Sequence, residues 1–155
     1  MSRTVRPTRR SLVRLLALSA MSAALFAAPA RAAEPHRLVL QISDDDPAKM
    51  RSVLDIAANV SRHYASQGAE VEIVVVAFAG GLDMLLADRS PVRDRMVNFV
   101  KAMPNVSFRA CGNTLDGVTA REGRTPPLLP DVEIVPTGVA AIMDYAENRW
   151  VVVRP

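Results

Sequence analysis

The run Val71-Glu72-Ile73-Val74-Val75-Val76-Ala77-Phe78 restricts this chain to few architectures. Its apolar character is nearly continuous, without the alternation of a half-solvated strand, and fits a strand covered on both faces. The rest of the chain alternates apolar runs with helical patterns, the signature of a parallel sheet built from strand–helix units. Leu38-Val39-Leu40-Gln41-Ile42 reads as the first strand. Asp46 caps the helix that follows, with Pro47 at its first position. Met50, Val53, Leu54, Ala57, Val60 and Tyr64 give that helix one buried face, and Gly68 ends it.

After the second strand, Ala79-Gly80-Gly81 breaks the pattern and Leu82 to Ala87 reads as a short helical segment. Ser90-Pro91 is expected to cap a helix through Met103, with Val92, Met96, Phe99 and Val100 inward. A third strand, Val106 to Ala110, runs into Cys111-Gly112-Asn113 and a helix to about Ala120. A proline-rich loop from Arg121 to Pro130 leads to strand Val132–Val135. Pro136-Thr137-Gly138 opens a helix to about Glu147, and Trp150-Val151-Val152-Val153 is the last strand. The expected fold is a single three-layer α/β/α domain on a mostly parallel five-stranded sheet, flavodoxin-like in architecture.

The first 32 residues are read as a targeting segment. Arg3, Arg6, Arg9, Arg10 and Arg14 precede an uncharged apolar run, Leu15 to Ala28, and Ala30-Arg31-Ala32 is a small-x-small cleavage pattern. These are the parts of a cleavable secretory signal peptide, and the apolar run is short for a bilayer span. Thr8-Arg9-Arg10-Ser11-Leu12 resembles the twin-arginine consensus as well, so the general secretory and the twin-arginine route both stay open. The expectation is a periplasmic protein, residues 33–155, with no stable membrane insertion after cleavage.

The leader carries six of the nineteen basic residues and none of the sixteen acids. The remainder therefore has thirteen bases against sixteen acids, a net charge of −3. Nucleic-acid binding needs a dense basic face, and none remains.

Cys111 is the only cysteine, so an intramolecular disulfide is excluded. A thiol between a strand and a helix start lies near the positive end of a helix dipole, which favours the thiolate. The other reading is a small buried apolar residue, as free cysteines often are. Arg109 and Arg121 flank it in sequence, and either can lower its pKa or hold an anionic sulfur compound. Alternatively, Arg109 points to the opposite face of its strand. In an open parallel sheet, ligands sit beyond the carboxyl ends of the strands. There Gly80, Gly81, Gly112 and Asn113 are candidate ligand contacts, with a plain tight turn as the simpler reading of the glycine pair. Asp44-Asp45-Asp46 lacks the spacing of a calcium loop and reads as a helix cap with solvated charge. His36 and His63 lack metal-ligand spacing to Cys111, so no metal site is expected. Phosphate-binding and G-x-S-x-G signatures are absent.

The residues together resemble the DsrE/DsrF-like family of small α/β sulfur-relay proteins, in its exported branch. The resemblance spans nearly all of residues 33–155. It is carried by Asn59 on the first helix and by Val74-Val75-Val76-Ala77-Phe78-Ala79-Gly80-Gly81 with Leu85-Leu86. Further pieces are Phe108-Arg109-Ala110-Cys111-Gly112-Asn113-Thr114, Leu128-Leu129-Pro130, Val135-Pro136-Thr137-Gly138-Val139 and the closing Trp150-Val151-Val152-Val153-Arg154-Pro155. Ala79 stands where relatives often have glycine. The resemblance implies persulfide carriage on Cys111, with no cofactor required. The implied partners are a small sulfur-containing donor and an acceptor thiol protein, and the implied assembly is a trimer or hexamer. The alternative is a non-catalytic, oligomeric small-ligand-binding or scaffold module of the same fold.

Overall fold

The computed structural model describes residues 34–155; the expected leader lies outside them. The elements follow in the order β1 (His36–Ile42), α1 (Pro47–Ser66), β2 (Val71–Ala77), a 3-10 segment (Ala79–Leu85), α2 (Arg93–Ala102), β3 (Val106–Cys111), α3 (Gly112–Glu122), β4 (Val132–Val135), α4 (Gly138–Glu147) and β5 (Val151–Val153). The five strands form one sheet in the order β4-β3-β2-β1-β5, and every pairing is parallel.

This order decides where the helices go. From β1 to β4 the chain steps always in one direction across the sheet, and right-handed crossovers then put α1, α2 and α3 on one face. The step from β4 to β5 goes back across the whole sheet, so α4 lies on the other. The two cores record the split. On the first face, Leu40, Val75 and Phe108 of the sheet meet Met50, Val53 and Leu54 of α1, Met96 and Phe99 of α2, and Leu115 and Val118 of α3. On the second, Val39, Val74 and Val76 meet Ile142 of α4, edged by Phe78, Tyr145 and Trp150. The strand β2 contributes to both, which is why its sequence shows no alternation.

Local chemistry sets the element ends. Asp46 accepts a hydrogen bond from the Ala48 N–H at 2.7 Å and caps α1, with Pro47 in its first turn. Gly123, at φ 70°, closes α3 in the left-handed conformation that glycine adopts at least cost. Two expectations shift. The short helical segment is a 3-10 turn that begins at Ala79 and takes in both glycines. Helix α2 starts at Arg93, later than Ser90-Pro91 suggested. The Ser90 hydroxyl donates to the Met84 carbonyl at 2.6 Å and accepts from the Val92 N–H, so it closes a turn instead of capping the helix.

Candidate functional site

The topology places a crevice where neighbouring strands send their chains to opposite faces. Here these strands are β3, which leads into α3, and β4, which leads into α4. Cys111 is the last residue of β3 and stands in the cap position of α3, with extended backbone (φ −72°, ψ 116°). Strand alternation points its side chain to the α4 face, toward the start of the other helix. The Gly138 N–H, in the first turn of α4, donates to Cys111 Sγ at 3.2 Å.

The sulfur thus meets two helix N-termini at once. The thiol is 5 % exposed. Burial pushes its pKa up. The Thr114 hydroxyl and the backbone N–H groups of Gly138, Thr114 and Asn113 together outweigh burial and hold it below its ordinary value. Thr114 Oγ1 itself accepts the Ala79 N–H at 3.1 Å, which leaves the hydroxyl proton for the sulfur. The arrangement is a small anion hole that can stabilise a thiolate.

Close backbone packing makes that hole possible. A Cβ on Gly138 would lie 3.2 Å from the Cβ atoms of Cys111 and Phe78. One on Gly112 would lie 3.2 Å from the carbonyl oxygens of Val135 and Pro136. The Asn113 N–H donates to the Pro136 carbonyl at 3.1 Å, and its side-chain amide donates to Thr137 Oγ1 at 3.1 Å. These bonds lace the α3 start to the α4 start. Ala79 has φ 48°, a left-handed conformation in which an alanine is strained.

Beside this hole, a cleft of about 460 Å³ opens at the carboxyl ends of β1, β2 and β3. Asp45, Gly80, Asp83, Arg89, Asn113, Thr114 and Arg121 line it. Three of the sequence candidates, Gly80, Asn113 and Arg121, therefore come together, while Cys111 is not among the residues that line the cleft. The others lie elsewhere. Arg109 shares the face of Cys111, but its guanidinium contacts Glu133 at 3.3 Å and the Phe108 carbonyl at 3.1 Å. Gly81 is buried against β1, where a Cβ would approach the Ile42 carbonyl to 2.3 Å. Gly112 faces the β4–α4 turn. Asn59 is exposed on α1 and accepts from Arg62. His63 is exposed, and among the described residues no group of three or more His, Cys, Asp or Glu side chains forms a metal site.

Two sulfur-contacting residues escaped the sequence reading. Thr114 had a faint signal: it stands three residues after a cap residue, where such positions exchange hydrogen bonds. Gly138 had a topological signal, since Pro136-Thr137-Gly138 is one of the turns beyond the carboxyl ends of the strands, but its direct contact with a sulfur 27 residues away was not legible.

No protein-family model matches the sequence, and no curated protein matches it. Among solved structures, the chain is similar to MTH1491, a protein of unknown function from Methanobacterium thermoautotrophicum. The two are 30% identical, with 77% of this chain and 99% of that one covered and a TM-score of 0.61.

Proposed function

The chain belongs to the same family as MTH1491, and on that premise we propose that it is an exported DsrE/DsrF-like sulfur carrier working through Cys111. In this reading the Cys111 thiolate attacks the sulfane sulfur of a donor. The donor's S–S bond breaks, the rest leaves as a thiolate, and the protein holds Cys111-S-SH. An acceptor protein's thiolate then attacks the outer sulfur, and Cys111 leaves as the thiolate that the hole stabilises.

The observation that carries this reading is the placement of one sulfur against two helix starts: Cys111 stands in the cap position of α3, and its sulfur accepts the Gly138 N–H at the start of α4 at 3.2 Å. A thiol that only packs has no need of two helix ends. The leader supports a periplasmic setting. Val139 and Met143, 50% and 58% exposed on α4 next to the thiol, suit burial against further copies in a trimer or hexamer.

The test is an intact mass after incubation with polysulfide, beside Cys111→Ser. A gain of about one sulfur (~32 Da), reversed by reductant and absent in the variant, supports the carrier. No adduct, with the folded thiol also closed to alkylation, would sink it. The low exposure of Cys111 favours one competing reading, a ligand-binding or scaffold module in which the cysteine is inert. Full biological activity of Cys111→Ala would establish that alternative.

A further inference from the structure

We propose that the β5 edge of the sheet is a self-association seam, where β5 pairs antiparallel with β5 of a second copy about a two-fold axis at Val152. The seam does not depend on the chemistry of Cys111. The two edges of the sheet differ in a way that points to it. Edge strand β4 carries Glu133, 70% exposed at its side chain, and follows Pro130-Asp131. Charge and proline of this kind discourage a further strand from adding. Edge strand β5 carries Val151, Val152 and Val153, which are 62%, 38% and 37% exposed, with no charge or proline among them. Among the described residues nothing pairs with its outer side. A bare apolar edge is a template for another strand.

Both faces beside that edge are apolar as well. The parallel register sets Val151 beside Leu38 and Val153 beside Leu40, so both point to the α1 face, and Val152, beside Val39, points to the α4 face. On the α1 face, Val151 and Val153 floor an open groove of about 460 Å³ walled by Ile56, Val60 and Tyr64 of α1. On the α4 face, steps of about 100° per residue put Val139, Met143 and Ala146 on one side of the buried Ile142. In a right-handed β4–α4–β5 crossover that side is the one toward β5. The exposed flank of α4 therefore faces the same edge.

A second copy fits this edge without like charges meeting. Antiparallel pairing about Val152 sets Val151 opposite Val153 of the second copy, and the two grooves then share one apolar floor. On the other face Val152 meets its own counterpart. Trp150 stands opposite Arg154 of the second copy, ring against guanidinium. The two-fold also turns both α4 flanks toward each other across the seam. The three valines with Val139 and Met143 leave roughly 400 Å² exposed per copy, half of a standard interface, and the strand backbones and groove walls add to it. That area fits reversible association in the micromolar range.

Sedimentation velocity of the protein between about 1 and 200 µM is expected to show a monomer giving way to an even-numbered assembly. Trp150, the only tryptophan, should shift its emission to the blue as the seam closes. Val152→Lys sets two lysines on the two-fold and is expected to weaken association roughly thirtyfold or more, with the folded circular dichroism kept. Met143→Lys, at an exposed helix position, is expected to weaken it roughly three- to tenfold and carries the test if Val152→Lys does not fold. In a Cys111→Ser background, Val152→Cys is expected to cross-link to itself under mild oxidant, whereas Val97→Cys, comparably exposed on α2, is not. A monomer at about 200 µM, a closed trimer, which has no two-fold, or association indifferent to both lysines overturns the seam. A monomer whose Val151–Val153 amides shift on adding a valine-rich peptide overturns it too and gives the edge to a strand of another protein.

Discussion

Thr114→Val tests the anion hole most sharply, because it removes a hydroxyl and keeps the shape. Two bonds are lost, the one that accepts the Ala79 N–H and the one donated to the sulfur; the second is from a neutral donor to a charged sulfur and sets the thiol's titration. Such bonds contribute about 1.5–3 kcal/mol, and the lower end applies at the open end of a sheet. At about 1.4 kcal/mol per tenfold, the thiolate population at a fixed pH below the thiol's pKa falls roughly tenfold. A more basic thiolate is a better nucleophile, which returns somewhat less than half of that on a logarithmic scale. The net expectation is alkylation about three- to fourfold slower at low pH, and faster than wild type once both thiols are ionised, so the two pH–rate curves cross. Because Cys111 is the only cysteine, alkylation and thiolate absorbance, corrected with Cys111→Ser, report one group. Thr114→Ser keeps the hydroxyl and should follow wild type. The linkage has a definite sign. A thiol whose folded pKa is depressed contributes stability that is full above its unfolded value and is lost as pH falls through the folded value. The melting temperature of wild type relative to Cys111→Ser should therefore rise with pH through that window, and rise less in Thr114→Val. Parallel curves for Thr114→Val and wild type would refute the hole as the source of the lowered pKa.

Other positions test the fold that holds the site. Gly81→Ala would put a Cβ 2.3 Å from the Ile42 carbonyl oxygen, so a loss of about 3 kcal/mol or failure to fold is expected on thermal melting. Gly117→Ala meets only the end of Arg121 at 3.5 Å and should be neutral or gain up to about 1 kcal/mol of helix stability. Phe108→Ala removes a ring that is 1 % exposed in the main core and packed edge-on to Phe99; denaturant unfolding should show a loss of about 3–5 kcal/mol. Ala79→Gly relieves a left-handed alanine at φ 48°, worth about 1–2 kcal/mol, against about 0.5–1 kcal/mol of added chain freedom. A small net gain in melting temperature is expected, and a clear loss would mean that Ala79 is not strained.

Much of the fold was legible because its signals are local. The unbroken apolar run of β2 already required two covered faces, and Asp46-Pro47 marked the start of α1 within its own turn. Ser90-Pro91 misplaced the start of α2 because a serine that closes a turn and one that caps a helix share the same local pattern; only the contact with the Met84 carbonyl separates them. The site was half legible for the same reason. Cys111 at a strand–helix junction, and Gly80 and Asn113 near the strand ends, follow from periodicity, whereas Arg121, in the last turn of α3, was marked only by its place in sequence after Cys111. The partners of Arg109 and the backbone seat of Gly81 depend on which strands are neighbours, and periodicity carries no strand order.

Strand order is also what turns an ordinary cysteine into a candidate nucleophile. Had β5 been added beyond β4, α4 would have continued on the face of α1 to α3, and Cys111 would have met the dipole of α3 alone. Because the chain instead returns across the sheet to pair β5 with β1, α4 begins on the opposite face and aims its first N–H groups at β3. Asn113 then ties the two helix starts through Pro136 and Thr137. The single reversal in connectivity thus supplies the second helix end, the crevice and the close backbone approach at Gly112 and Gly138. A Gly138→Ala variant separates these contributions. Its Cβ would press on Cys111 and Phe78 at 3.2 Å, pushing α4 away from the sulfur while leaving Thr114 and α3 in place. The thiol should then lose part of its thiolate character with little change in the α1–α3 core, seen as slower alkylation at low pH. An unchanged thiol titration would mean that α3 and Thr114 suffice and that the reversal matters for packing alone.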